Sequence, residues 1–503
     1  MIGLESTRVA IARDTGATGY PAAPFSPPEI YPELTRLERG GHTDGANRVY
    51  PLVRQALRGL GLDAEHFGTA AWNPLADVIR PGHKVLLKPN LVRHFHGFGW
   101  DPAPLVTHAA VVRAVFDYVE LALAGSGSIT IADAPLQTAD FAAVTELAGL
   151  RALSAWYESI CGRPIPLVDL RLTQAVTTGG GYITGHAVRG GDNAGYVAVG
   201  LGSDSCFTGI DGNYAGFRVT NYDPAEMQQH HHRGHHEYLV SRRMLESDVV
   251  INLPKLKTHR KVGVTAALKN MIGINGHKDW LPHHRRGPAA QGGDEYLHAN
   301  RWKAIVGKLL DVEESQTDAL AKQTIRFLRR AAGGVSLLTR RDPFIEGSWW
   351  GNDTLWRTVF DLNRILHYAD ADGTMQSEPQ RRVLTLIDAV IAGEGEGPLE
   401  ASAKICGMVI AGFNPVAVDA TAARVMGFDG RRIPIIARAT EKMPFPLLRF
   451  PFGAIDVRSN QASWDRMNVF TPGEDLDFEP AAGWRDVIEL RHFADANADA
   501  RRS

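Results

Sequence analysis

Cysteine is scarce: the 503-residue chain has three, Cys161, Cys206 and Cys406, all far apart in sequence. That spacing excludes a CxxC element and a ferredoxin-like run of cluster ligands, so no iron–sulfur cluster is expected and the thiols are read as reduced and buried. Charge of one sign is lacking as well. Lys plus Arg number 54 against 56 Asp plus Glu, a formal net charge of −2. No global field would draw in nucleic acid or an anionic membrane, so any anion must be bound locally and neither is expected as a partner. The opening MIGLESTRVAIARDTG has neither a basic region followed by an apolar core nor a twin arginine. No later stretch approaches the roughly 20 apolar residues of a membrane span. The cytoplasm is the expected location.

Several catalytic signatures are also missing. There is no Walker loop, no GxGxxG between a strand and a helix, no HExxH and no GxSxG elbow. The sequence therefore gives no support to nucleotide binding, a zinc-protease helix or a serine hydrolase of the elbow type.

What is present is alternation. Hydrophobic residues at 44% and charged residues at 22% suit a globular chain with one large or two medium domains. RVAIAR at 8–13, KVLLKPN, SITIADAP, SDVVINLP, RVLTLIDAV and GMVIAG read as strands. Between them lie helical spacings: Val49, Leu52, Val53, Leu57 and Leu60; a segment after Thr107 as N-cap; stretches near 300–310, 317–332 and 354–367; and NPVAVDATAARVMG, with Asp419 near its start. This order predicts an α/β fold with a mostly parallel sheet flanked by helices. From Gly179 to Gly216 the alternating YITGHAVRGG and GYVAVGLG predict a β-rich insertion. The expected organisation is a first α/β lobe over 1–170, a β-rich or loop insertion over 171–247, a second α/β lobe over 248–445, and a C-terminal extension over 446–503 that ends in a frayed tail.

Four apolar runs end alike. KVLLKPN delivers Lys88 and Asn90, ITIADAP delivers Asp133, DVVINLPKLKTH delivers Asn252, Lys255, Lys257 and His259, and LTLIDAVIAGEGEGP delivers Asp388, Glu394 and Glu396. In an open parallel sheet the carboxyl ends of the strands share one edge, and ligands bind in the crevice there. Pro89, Pro135 and Pro254 stop the ladders and fix the direction of the polar neighbours. Gly393, Gly395 and Gly397 would let backbone approach a ligand from a loop. The stretch from Lys255 to Lys269 contains no acidic residue, which leaves its cations without local partners and favours an anionic ligand.

Histidine is concentrated in MQQHHHRGHHEY and GHKDWLPHHRRGP. His232 and His236, four apart, would share a helix face, and imidazole is a common transition-metal ligand. A divalent metal on His232, His236, His283, Glu394 and Glu396 stands against the plainer reading of solvated polar loops. In QGGDEY and WWGNDTLWR, Asp294, Glu295, Asn352, Asp353 and Arg357 offer the donors and acceptors a hydroxylated substrate needs, and Trp349, Trp350 and Trp356 offer a sugar face or core packing.

In this order KVLLKPNLV, ITIADAP, SDVVINLPKLKTH, TAALKNMIG, LIDAVIAGEGEGP and NPVAVDATAARVMG resemble the bacterial and archaeal family called domain of unknown function 362. The resemblance runs to about residue 440. PHHRRGP, GGDEY and GNDTLWR are similar to a long-chain subgroup associated with extracellular-polysaccharide genes. Some members of the family carry a ferredoxin-like domain and others export signals, and neither is found here. The family is also distantly similar to nickel-pincer lactate racemases, which implies proton transfer on a hydroxy acid or sugar.

The leading reading is an enzyme for a small anionic or polyhydroxylated molecule, working as an isomerase, epimerase or lyase or with metal assistance. His259, Lys257, Lys269 and Asp388 are its catalytic candidates, with His259 as proton carrier. Lys88, Asn90, Asp133, Asn252, Lys255, Asn270, Asp353 and Arg357 are its substrate-binding candidates, the lysines acting as point charges toward carboxylate or phosphate. The other reading is a non-catalytic binding, redox or assembly partner in a surface-polysaccharide pathway. A homo-oligomer is compatible with either.

Overall fold

The computed structural model describes residues 2–491 apart from 38, 40, 178–182, 189, 211–212, 220–223, 317 and 339–343. Among these residues ten strands form one sheet: β1 (Arg8–Arg13), β2 (Lys84–Pro89), β3 (Ser128–Asp133), β4 (Leu167–Asp169), β5 (Val249–Leu253), β6 (Lys255–His259), β7 (Gly263–Thr265), β8 (Arg382–Glu396), β9 (Glu400–Gly412) and β10 (Asp456–Ser459). The main path runs β10-β1-β9-β8-β5-β2-β3-β4. Beyond the end of β5, β6 takes over its place beside β8, and β7 folds back on β6. The pairings are parallel except those that β9 makes with β1 and β8 and that of β7 with β6.

Successive side chains on a strand point to opposite faces, and here both faces are covered. Ala10, Leu87, Ile131 and Ile251 pack with α1 (Val49–Gly59), α2 (Ala109–Leu123) and α3 (Leu150–Cys161). Val9, Ile11, Met408 and Ile410 pack on the opposite side with α4 (Leu355–Tyr368) and α5 (Pro415–Met426), and Leu86, Val250 and Val383 meet the later turns of α4. This explains why VVINL is apolar nearly throughout: every residue of β5 is buried. Each Leu, Ile or Val so buried contributes roughly 1.5–3 kcal/mol. The result is a predominantly parallel α/β fold. The segment between β4 and β5 adds antiparallel pairs: Thr173–Thr177 with Ile183–Val188, and Tyr196–Gly200 with His235–Ser241.

Several local expectations need correction. AGEGE is not a loop but the last part of β8, paired with β9 as far as Glu396 and Glu400, and Gly397 begins the turn that follows. The N-cap of α2 is His108, whose side chain accepts from Ala110 N at 3.1 Å. Thr107 instead joins two strand ends, its hydroxyl accepting from Asn90 N and donating to Leu253 O. His232 and His236 lie on the two arms of a tight hairpin rather than on a helix face. Cys161 is exposed and Cys206 partly so, leaving Cys406 as the buried thiol. The expected frayed tail at 494–503 lies outside the described residues. Among the described residues no helix is long and apolar enough to cross a membrane.

Candidate functional site

At the carboxyl edge of β2, β3, β5 and β6 the polar residues form a connected network. Lys257 Nζ donates to Asn90 Oδ1 at 2.8 Å, Asn90 Nδ2 to Asn270 Oδ1 at 2.9 Å, Asn270 Nδ2 to Asn252 Oδ1 at 2.8 Å, and Asn252 Nδ2 to Ala267 O at 3.0 Å. Every carboxamide both gives and accepts, which fixes its orientation and leaves little rotational freedom. Lys88 joins this chain through Asn270 Oδ1 and is ion-paired with Asp133 at 2.7 Å, both side chains buried. Asp133 Oδ2 also accepts from Leu91 N, so the pair locks β2 to β3.

The network forms part of the wall of a cavity of about 360 Å³. Asn90, Asp133, Lys257, His259, Lys269, Asn270 and His283 line it among the expected residues. Loops add Arg93, Arg260, Lys261 and Lys278, which no strand periodicity marks. Gly393 and Gly397 explain how β6 reaches this position. A Cβ at Gly393 would come within 3.0 Å of Lys257 Cβ, and one at Gly397 within 2.0 Å of the Thr258 carbonyl oxygen.

The cavity is rich in cations. Lys278 Nζ donates to Ala134 O at 2.8 Å, while the ammonium groups of Lys261 and Lys269 make no hydrogen bond or ion pair among the described residues. Burial pushes Lys269 down to about 7, helped by Lys261 and Lys88. Lys278 likewise falls to about 7 and Lys261 to about 8, burial being the largest cause in both. Lys257 is driven well below the usual lysine range by burial and by Lys255 and Lys269.

Two histidines line the cavity in complementary tautomers. His259 Nδ1 accepts from Lys261 N at 3.0 Å, so the neutral ring carries its proton on Nε2. His283 Nδ1 faces Leu281 O at 2.7 Å and must be the protonated nitrogen, which leaves Nε2 as an acceptor. Burial and the neighbouring lysines hold both rings well below the ordinary imidazole pKa. His259 therefore offers an N–H donor, and His283 offers the lone pair.

The remaining candidates lie elsewhere. Lys255 is ion-paired with Asp388 at 2.9 Å, so its partner comes from β8 and not from its own stretch of sequence. Asp388 also accepts from Tyr20 OH and His108 N, and neither Asp388 nor Lys255 lines the cavity. Asn252 stands one bond behind the wall. Asp353 is held by Arg357, Arg285 and Trp356 Nε1. Nearby, Asn352 has a clear link to the site: Nδ2 donates to His283 O at 3.0 Å.

Glu394 is paired with Lys404 and accepts from Glu479 N, and Glu396 accepts from Ala482 N, so both anchor the C-terminal extension. His232 stacks on His235, whereas His236 packs against Phe207 and His231. The five suggested metal ligands are not brought together, and among the described residues no group of three or more His, Cys, Asp or Glu side chains is placed to hold a metal ion.

Asp419, placed by the sequence near the start of a helix, makes its contacts on another element. It does not act on its own helix, which Asn414 caps through Val416 N and Ala417 N. Its carboxylate accepts from Ala267 N and Leu268 N, capping the short helix Ala267–Asn270 that carries Lys269 and Asn270.

The molecule is thus an α/β protein with a lysine-walled cavity at the carboxyl edge of its sheet. Residues 168–424 match the family described as Domain of unknown function (DUF362), and the chain belongs to it. The matched span includes Lys257, His259, Lys269 and His283, whereas Lys88, Asn90 and Asp133 precede it. No curated protein and no solved structure matches the chain.

Proposed function

We propose that the protein is an enzyme that binds a small organic anion, a carboxylate or phosphate ester, and moves a proton on it. One observation carries this reading: Lys269 faces the cavity with only cations near it, and Lys261, although Glu346 on the same wall lies in its surroundings, makes no ion pair among the described residues. Gathering cations in a low-dielectric space is costly unless a ligand supplies the opposite charge. Lys261, Lys269 and Lys278 would hold the anionic group, and the Lys257–Asn90–Asn270 chain would orient its hydroxyl or carbonyl oxygens. His283 Nε2 is suited to take a proton, and the His259 N–H to stabilise an oxygen that gains negative charge.

The direct test is a thermal-shift screen of hydroxy acids, keto acids and sugar phosphates, followed by NMR of each stabilising compound in D₂O with catalytic amounts of protein. Exchange of a carbon-bound hydrogen that is lost in His283→Asn is expected. Binding without exchange by any stabilising compound would instead favour a non-catalytic binding protein. Absence of stabilisation by every anion would sink the proposal.

A further inference from the structure

We propose that Lys269 is an imine-forming nucleophile, and that the cavity takes an aldehyde or ketone that also bears a carboxylate or phosphate. This rests on the small-anion reading and narrows it to carbonyl compounds.

The lysines of the site divide by what they touch. Lys88 and Lys255 are paired with carboxylates, and Lys257 and Lys278 donate to neutral oxygens. Lys261 has the acidic side chains of Glu346, Asp294 and Glu295 in its surroundings. Lys269 has only cations close enough to shift it, Lys261 and Lys88, and its amine makes no hydrogen bond among the described residues. It is also held in place, because its short helix is fixed from behind by Asp419. An amine without a counter-charge beside other cations is in the environment that activates lysine toward carbonyl carbon. With its pKa pushed to about 7, half of the amine is neutral at pH 7, on the order of a thousandfold more than for an ordinary lysine.

The surrounding groups complete the step. The Nζ lone pair bonds to the carbonyl carbon as the C=O π pair moves to oxygen, which the His259 Nε2–H stabilises. His283 Nε2 takes a proton from the nitrogen and passes it to that oxygen, giving a carbinolamine. The nitrogen lone pair then expels the hydroxyl as water, with a proton drawn from solvent, to leave an iminium ion. One C–N bond forms, one C–O bond breaks and no oxidant is needed. The iminium withdraws electrons from the adjacent carbon, so loss of a proton or of a carbon substituent there is the chemistry it would support.

The full chain is incubated separately with glyoxylate and with pyridoxal 5′-phosphate in the presence of cyanoborohydride, and the adducts are mapped by peptide mass spectrometry. Reduction of an imine adds a stable mass at Lys269, expected to form roughly tenfold faster than at the exposed Lys84. Lys269→Arg should lose that adduct, and the thermal shift caused by oxalate or inorganic phosphate is read on the parent chain. An anion-induced shift with no enrichment at Lys269 overturns the imine and leaves the anion pocket standing. Neither shift nor adduct overturns both.

Discussion

The carboxylate of Asp419, on α5, receives the backbone N–H of Ala267 at 2.6 Å across 152 residues of sequence. A second bond, from Leu268 N at 3.1 Å, completes a cap on the turn that presents Lys269 and Asn270. Replacing Asp419 with Ala leaves two buried donors unmet, a cost of roughly 1–3 kcal/mol in chemical denaturation. Asp419→Asn keeps one acceptor and should cost less. Burial raises the Asp419 carboxyl to about 7, so the fold keeps a proton that the unfolded chain has already lost. Its contribution to stability therefore falls as the pH rises from the ordinary carboxyl range to about 7. Asp419→Asn removes that slope. A melting temperature for Asp419→Ala equal to that of the parent would refute the capping role.

Lys255 and Asp388 form a fully buried pair behind the cavity wall. Removing either partner strands the other charge, and Lys255→Met or Asp388→Ala should each cost about 3–5 kcal/mol. The losses should not add in the double variant, and the double-mutant cycle measures the coupling. Because neither residue lines the cavity, variants that fold should retain the thermal shift produced by oxalate. Loss of that response in a folded Asp388→Asn protein would give the residue a direct part in ligand binding.

The sequence revealed the sheet edge more clearly than the cavity. Parallel strands covered on both faces appear as apolar runs, so the polar residues just after them stand out, and Lys88, Asn90, Asp133, Asn252 and Lys257 do form one network. Lys261 lies in the acid-free stretch from Lys255 to Lys269 that favoured an anionic ligand, whereas Lys278 and Arg93 come from segments where nothing in the sequence distinguishes a cavity wall from a solvated loop. Tyr20 bonds to Asp388 across 368 residues, a contact no local pattern encodes. The glycines of AGEGEGP suggested a loop because glycine is weak in strands, but here the missing side chains let β6 pack closely against β8.

Gly273 offers a steric test of the Lys88–Asp133 pair. A Cβ added there would lie 2.2 Å from Asp133 Oδ1 and 2.6 Å from Lys88 Nζ, and both atoms are engaged with each other. Alanine must push them apart, with a penalty on the order of 3 kcal/mol because the charges have no water to turn to. Urea denaturation of Gly273→Ala measures it. An unchanged midpoint and slope would mean that the backbone yields and the pair is not held against it.

The lysines of the cavity set the pH behaviour. Lys269 and Lys278 are pushed to about 7 and Lys261 to about 8, mainly by burial. Lys269 is surrounded by Lys261 and Lys88; Lys278 by Asp133, Lys88, Arg171 and Asp169; Lys261 by Glu346, Arg260, Asp294 and Glu295. An unfolded lysine titrates near 10.4, so between about 7 and 10 the unfolded chain holds protons that the fold has released, and the stability of the ligand-free protein rises with pH through that window. A bound anion reverses the preference by favouring the charged ammonium. Affinity for oxalate, which carries no titrating proton in this range, should be full below pH 7 and fall as the pH passes 7 and 8. Calorimetry at pH 8 in buffers of different ionisation heat should register uptake of about two protons per anion. Lys269→Met should raise the stability of the ligand-free protein below pH 7 by about 1–2 kcal/mol while weakening the oxalate response. If oxalate binds equally well at pH 6.5 and pH 9, these lysines do not hold the anion.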